Sequence, residues 1–497
     1  MTETKNIKIQ KIDPKTTLPK EVVDVFLKLK LANFEVFLIG GCVRDLILKR
    51  KPKDWDLTTN ARPEQILEIF KENSFYENKF GTVSVKTESN DPTLKIIEIT
   101  PYRVESKYSD FRHPDEVIFV SSLKEDVKRR DFTINALALD IEGNIYDYVG
   151  GLDDLKNKII KAVGDPYERF KEDPLRMIRA VRFATELQFE IEKNTKEAIK
   201  DLANFLEKIS KERIRDELIK IIELPDGARG IRMLSAIGLN KYIIPELDEG
   251  IGVSQNKHHI YDVYEHNVKS LEYAIEKNFP LHLRFAALLH DIGKPRTKKG
   301  EGPDCTFYGH QVVGAKMAKE ILERLKFPKN FIQKVTKLIY YHMFYYNVGE
   351  VTEKGVRRFI NKVGIENIDD LLKLREADRI GSGVKKAFPY RLRHLKYMIE
   401  KVMQEPITPK MLKINGNDLI EKFNLKPGPK IGMILKILLE KVLDEPNLNE
   451  KEKLLKEAEK LVKLDDEKLK EIVKNSEEKI EEFEKSKEAE LKRKFNI

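Results

Sequence analysis

Leu38-Ile39-Gly40-Gly41-Cys42-Val43-Arg44-Asp45, followed by Lys53-Asp54-Trp55-Asp56-Leu57, is the stretch on which the reading of this 497-residue chain turns. Glu35-Val36-Phe37-Leu38-Ile39 is a short β-type run, the glycine pair ends it, and Arg44 to Leu48 reads as helix. Glycines between a strand and a helix, here Gly40 and Gly41, let backbone N–H groups approach phosphate oxygens, and Arg44 adds a charged fork one turn later. Alternation along a strand predicts that Asp54 and Asp56 point to one face. Two carboxylates so placed repel each other unless a cation such as Mg2+ lies between them. Alone, a glycine pair is a turn and an Asp-x-Asp is surface; at this spacing the combination is informative.

Working outward, strand-like stretches recur at 81–86, 95–100 and 117–120, with a helix at 63–71 that has Pro63 just inside its start. Ile96-Ile97-Glu98-Ile99 offers Glu98 either as a third carboxylate beside the first two or as a strand-edge residue paired with a lysine. Lys128-Arg129-Arg130-Asp131-Phe132-Thr133-Ile134-Asn135 brings Arg129 and Arg130, suited to a triphosphate, next to Asp131 and Asn135, suited to a ribose. After Gly151 apolar residues recur three and four apart, as in Leu175, Ile178, Val181 and Phe183, and the pattern stays helical nearly to the end. The expected fold class is therefore α+β, a small mixed sheet with helices as head and an all-α body behind it. The expected domains are 1–150, 151–250, 251–400 and 401–497. Turns are expected at Leu224-Pro225-Asp226-Gly227, at 245–252 and at 404–409, and Lys426-Pro427-Gly428-Pro429 opens a further helix.

Bulk properties set the surroundings. Lys and Arg number 92 against 83 Asp and Glu, a net charge of +9, which favours an anionic partner such as nucleic acid. Two cysteines, Cys42 and Cys305, make neither a disulfide framework nor a Cys-based zinc site. Mean hydropathy is −0.48. No run reaches the roughly 18 apolar residues of a membrane span, and MTETKNIKIQ lacks an apolar signal core. The expectation is a cytoplasmic protein with no membrane partner. The Lys/Glu-rich segment from Asn449 reads as a solvated terminal helix.

The order Gly-Gly-x-Val-Arg-Asp at 40–45, Asp-x-Asp at 54–56, Arg129 to Leu137, then Glu172-Asp173-Pro174-Leu175-Arg176, resembles the bacterial class II tRNA nucleotidyltransferases, the CCA-adding enzymes, and their relatives the bacterial poly(A) polymerases. That resemblance implies a nucleotidyltransferase head using Mg2+ on Asp54 and Asp56, with Glu98 alongside, and tRNA, CTP and ATP as partners. Gly40, Gly41, Arg44 and one or both of Arg129 and Arg130 would bind the triphosphate, with Asp131 and Asn135 near the sugar. Asp173 and Arg176, expected on one helix face, would read the base: Arg176 donates to cytosine O2/N3 or adenine N1, and Asp173 accepts from the exocyclic amino group. Arg179 and Arg182 would continue that helical side toward the phosphates. The segment Lys211-Glu212-Arg213-Ile214-Arg215 resembles a helix that buttresses this one.

Two features bear on the branch of the family. Pro101 to Arg112 resembles the flexible loop that CC-only enzymes lack. Glu77-Asn78-Lys79-Phe80 stands where poly(A) polymerases carry a different signature, so the tRNA-adding branch is expected. An enzyme adding only the final A, and poly(A) polymerase, stay open as alternatives.

A second constellation follows: His266 in Tyr264-Glu265-His266-Asn267, His290-Asp291 before Ile292-Gly293-Lys294, then His310, His342 and Asp378. Imidazoles and carboxylates on separate helices can converge on divalent ions. The order resembles the HD superfamily of metal-dependent phosphohydrolases, which implies an HD-type helical domain holding a divalent transition metal. The rivals are a retained fold serving as tRNA scaffold, and an HD phosphohydrolase whose head only binds RNA.

Overall fold

The computed structural model describes residues 13, 17–77, 81–106, 116–256, 260–384, 387–403 and 409–497. Four stretches singled out above lie wholly or partly outside the described residues: the first ten residues, Asn78-Lys79-Phe80, the loop at 107–115, and 404–408. By the density of its contacts the chain divides into two units, Met1–His342 with Lys373–Lys385, and Met343–Leu372 with Lys386–Ile497.

Among the described residues the head is a mixed sheet, as expected, and has seven strands. It comprises β1 (Val36–Ile39), β2 (Asp56–Thr59), β3 (Ser74–Tyr76), β4 (Val83–Lys86) and β5 (Ile96–Pro101). A separate hairpin, β6 (Arg103–Ser106) with β7 (Glu116–Phe119), precedes the last two members, β8 (Leu137–Leu139) and β9 (Ile145–Asp147). The spatial order is β3-β4-β5-β2-β1-β8-β9. Central β1 and β2 are antiparallel, whereas β2 and β5 run parallel with Asp56 opposite Glu98. Helices α1 (Lys20–Leu31), α2 (Gly41–Ile47) and α3 (Pro63–Phe70) accompany the sheet. Ile39, Ala136 and Ala138 from the strands and their approaches pack with Tyr102, Leu123 and Val127 in one buried cluster.

Beyond Gly151 the chain is almost wholly helical. Helix α4 (Pro166–Glu172) leads through Asp173-Pro174 into α5 (Leu175–Leu187), against which α6 (Lys211–Glu223) packs. Further on, α7 (Val263–Glu276), α8 (Leu281–Leu289), α9 (His310–Arg324) and α10 (Lys329–Tyr341) form a bundle. Asp378 lies on α11 (Ile365–Gly381).

In the second unit, α12 (Pro429–Asp444) opens at Pro429 as expected. Its Ile434, Ile437 and Leu438 share a core with Leu454, Leu461 and Leu469. The terminal helix α13 (Asp466–Phe495) is less solvated than its Lys/Glu composition predicts. It buries Leu469, Ser476 and Phe495, and its Glu488 accepts a 2.7 Å hydrogen bond from Tyr397. Among the described residues, no helix is long and apolar enough to cross a membrane.

Candidate active site and metal centre

The β1–α2 turn builds one wall of a cavity of about 590 Å3. Gly40 adopts φ +85°, and a Cβ there would sit 3.4 Å from Arg130 Nη1 and 3.5 Å from Asp56 Oδ2. The glycine thus supplies both a left-handed backbone and space for two charged groups. Arg44, Asp54, Asp56, Arg130, Asp131, Asn135, Arg179 and Arg182 all reach the same cavity.

Asp56 opens β2, but Asp54 lies in the bend before it, so strand alternation is not what brings the two carboxylates together. Asp54 nevertheless lies near enough to act on Asp56 through its charge, and a Cβ at Gly41 would sit 3.8 Å from Asp54 Oδ1. Burial, then the charges of Asp54 and Glu98, push Asp56 up to about 7. Glu98 remains open to solvent, yet desolvation and the Glu77 and Asp54 carboxylates raise it as well. Asp54 and Glu98 beside a buried Asp56 offer oxygen donors of the kind a hard divalent cation takes, and a cation there would relieve the repulsion that raises Asp56 and Glu98.

The arginines are held by carboxylates of the chain itself. Arg44 bonds Asp45 at 2.9 Å and donates to Asn135 Oδ1 at 2.8 Å, and Arg179 bonds Asp131 Oδ2 at 2.7 and 3.0 Å. Arg182 bonds Glu217 at 2.7 Å. Asp131 and Asn135, expected near a sugar, therefore orient arginines in this structure. Burial works against the charged form of Asp131, but Arg179 holds its carboxyl at about 2. Arg130 lines the cavity, whereas Arg129 does not and turns to Asp126 at 2.7 Å.

Asp173 and Arg176 do not share a helix face. Asp173 ends α4 with extended backbone, φ −140° and ψ 98°, and only Arg176 lies in α5. Pro174 is the cause, since a residue before proline is driven out of the helical region. Instead the pair is fixed by others. Arg213 of α6 donates to both Asp173 oxygens at 2.7 and 3.2 Å, and Arg176 donates to Glu172 at 2.7 Å. Neither Asp173 nor Arg176 lines the cavity. Sequence reasoning missed several residues that do: Lys53, Phe183, Glu186, Lys220, Glu223, Leu224 and Pro225. Of these, Lys53 showed only as a neighbour of the Asp-x-Asp pair, Phe183 only as part of an apolar helix face, and Leu224 and Pro225 only as a turn.

The second constellation assembles inside the α7–α10 bundle. His266, His290, Asp291 and Asp378 form one group of facing donors, and Asp291, His310 and His342 form another. His266 Nε2 lies 2.9 Å from both His290 Nε2 and Asp291 Oδ2. Asp291 Oδ1 faces His310 at 3.2 Å and His342 at 3.5 Å, so its two oxygens serve different groups. His290, His310 and His342 each set Nδ1 against a backbone carbonyl three residues earlier, at 2.6–2.8 Å, which leaves Nε2 turned inward. Burial opposes charge on His290, but Asp291 and Asp378 raise it to about 10, while burial lowers His266 and His342. The Lys294 ammonium lies 2.6 Å from Asp291 Oδ2 and adds a positive charge beside these carboxylates. All six residues are buried or nearly so. Gly293 makes the arrangement fit: a Cβ there would lie 2.4 Å from His310 O and 2.6 Å from Gly314 N. Sequence reasoning did not assign Lys294 to this cluster.

Family models match residues 36–161 ("Poly A polymerase head domain"), 188–251 ("Probable RNA and SrmB- binding site of polymerase A") and 310–458 ("tRNA nucleotidyltransferase domain 2"). A CCA-adding enzyme of Lactococcus lactis is 34% identical over 450 residues, 90% of this chain and 99% of its own. An A-adding tRNA nucleotidyltransferase of Deinococcus radiodurans is 36% identical over 342 residues, 66% of this chain and 76% of its own. The crystal structure of the Bacillus stearothermophilus CCA-adding enzyme in complex with CTP matches with a TM-score of 0.57 and 28% identity, covering 87% of this chain and 94% of that one. Against Lactobacillus and Enterococcus CCA-adding enzymes at 47–50% identity, the chain spans about half of their length. Similarity sustained through head and helical body alike means that the chain belongs to the tRNA nucleotidyltransferase family of the CCA-adding enzymes.

Proposed function

We propose that this protein adds or repairs the 3′-terminal CCA of tRNA, using CTP and ATP and no nucleic-acid template. The observation that carries the reading is the convergence of Asp54, Asp56, Gly40, Arg44, Arg130 and Arg179 on one cavity of nucleotide size. The full-length likeness to a CCA-adding enzyme and the fold shared with a CTP complex support it. Asp54 and Asp56, with Glu98 beside them, would hold Mg2+, which when bound supplies charge neutralisation at the α-phosphate and the leaving pyrophosphate. The chain's own groups do the rest. The arginines grip the triphosphate, and Arg176 and Asp173 read a C or A. An RNA 3′-hydroxyl then attacks the α-phosphorus and pyrophosphate leaves.

Residues 1–150 form the catalytic head in this reading, 151–250 the base-reading neck, 251–400 the HD-type domain and 401–497 the tail. A cytoplasmic location fits a tRNA substrate. Incubation with tRNA ending in N, C and CC, with labelled CTP or ATP, is the test. Extension of all three is expected. Extension of the CC end alone identifies the A-adding reaction, long ATP-only tails on generic RNA identify poly(A) polymerase, and no extension refutes the reading.

A second reading rests on the six converging donors around Asp291: a divalent transition metal there would serve phosphate-ester hydrolysis at RNA ends. Metal analysis, with phosphate release from 2′,3′-cyclic or 3′-phosphorylated ends, tests it. Absence of both metal and release leaves the domain as a tRNA scaffold.

A further inference from the structure

Among the described residues, six cationic and six anionic side chains line the cavity, so their formal charges balance and net attraction does not single it out as an anion site. What singles out part of its wall is arrangement. The guanidinium of Arg182 lies over the Phe183 ring at 4.2 Å from the centroid, and those of Arg44 and Arg179 lie at 5.3 Å each. Two of these arginines come from α5 and one from α2, 135 residues earlier at closest, and Phe183 is the group they share. The ring is 5% exposed, and its orientation is set by Phe132, edge-on at 5.8 Å.

Three like charges around one ring repel each other. Each is restrained on its outer side by an acceptor: Asp45 and Asn135 for Arg44, Asp131 for Arg179, Glu217 for Arg182. On the inner side the negative faces of the aromatic ring attract all three. The guanidiniums are therefore placed before any ligand arrives, and a polyphosphate need not supply the ordering of long side chains on binding.

We propose that Phe183 is a positioning residue for the triphosphate, its ring electrons holding Arg44, Arg179 and Arg182 as one preorganised cluster. The proposal rests on the nucleotide reading of the cavity. Its consequence is that polyphosphate affinity follows the electron density of this ring at constant shape.

Replacing Phe183 site-specifically by 4-fluoro-, 3,5-difluoro- and 3,4,5-trifluorophenylalanine drains that density with little change in volume. In the full-length protein with Mg2+, the dissociation constant of inorganic tripolyphosphate should rise stepwise, about tenfold across the series. The KM for CTP should rise in parallel, with the loss falling on KM rather than kcat and the melting temperature constant within a degree or two. Phe183→Leu should match or exceed the trifluoro effect on tripolyphosphate. A flat series would overturn the proposal and leave the ring as packing. If the unaltered protein binds neither tripolyphosphate nor CTP, the nucleotide reading of the cavity itself falls.

Discussion

Removing the Arg213 clamp should loosen base discrimination more than it weakens the fold. Asp173 Oδ1 accepts from the Leu175 N–H at 3.1 Å and from Arg213 Nη1 at 3.2 Å, and Oδ2 accepts from Arg213 Nη2 at 2.7 Å. An ionised carboxylate offers about four acceptor positions, so roughly one, on Oδ2, is left for the exocyclic amino group of cytosine or adenine. Arg213→Met keeps the aliphatic bulk but frees two positions and lets the carboxylate turn. The pair is partly buried, with side-chain exposures of 21% and 16%. A hydrogen-bonded charge pair of this kind is worth about 2 kcal/mol, which lowers the melting temperature by about 3 °C. The ratio of kcat/KM for CTP over UTP should fall about tenfold, equivalent to about 1.4 kcal/mol of lost discrimination. Incorporation on tRNA lacking CCA, with each nucleotide in turn, measures it. A double-mutant cycle with Asp173→Asn should return a coupling of about 2 kcal/mol. An unchanged ratio alongside a lowered melting temperature would remove Arg213 from base discrimination and make it a purely structural strut.

Asp54→Ala should lower nucleotide addition by at least about 10²–10³-fold, the scale of losing one preorganised charge-stabilising element, while metal content at the His/Asp centre is retained; activity near wild type would remove Asp54 from the proposed metal site. Asp131 sits at about 2 in the folded chain against an ordinary 3.8, so its contribution, about 2 kcal/mol, is present above pH 4 and lost as the pH falls toward 2. Arg179→Met should therefore start less stable and show a shallower loss between pH 4 and 2 in urea titrations, and equal slopes would contradict the assignment. Gly293→Ala should force α9 away from Asp291 at a cost of about 2 kcal/mol and reduce the metal bound at His310 and His342 with nucleotide addition intact; unchanged metal stoichiometry would show that the close approach is not required.

Local chemistry made much of this molecule legible. The Gly40-Gly41 break between an apolar run and Arg44, the Asp54-x-Asp56 pair and the three-and-four apolar spacing after Gly151 each reflect constraints acting within a few residues, and they predicted the mixed-sheet head, the cavity turn and the helical body. One error was avoidable at that level: Pro174 disfavours helical backbone at Asp173, so the expected shared helix face ran against the sequence itself. The order His266, His290-Asp291, His310, His342, Asp378 could likewise be read from the chain. That Asp291 turns one oxygen to each group could not, because side-chain direction is set by helix packing.

Which charges meet depends on packing between elements distant in the chain. Arg213 reaches Asp173 across 40 residues, Arg182 reaches Glu217 across 35, and Arg179 reaches Asp131 across 48. Lys220, Glu223, Leu224 and Pro225 form a cavity wall because α6 packs on α5. Such pairings leave no periodic trace in the sequence, since an arginine is equally compatible with any carboxylate until packing brings one within 3 Å. The amino-acid order dictates the kinds of group available and the backbone that carries them. The tertiary structure determined which of them hold one another in place, and so which remain free to face a ligand.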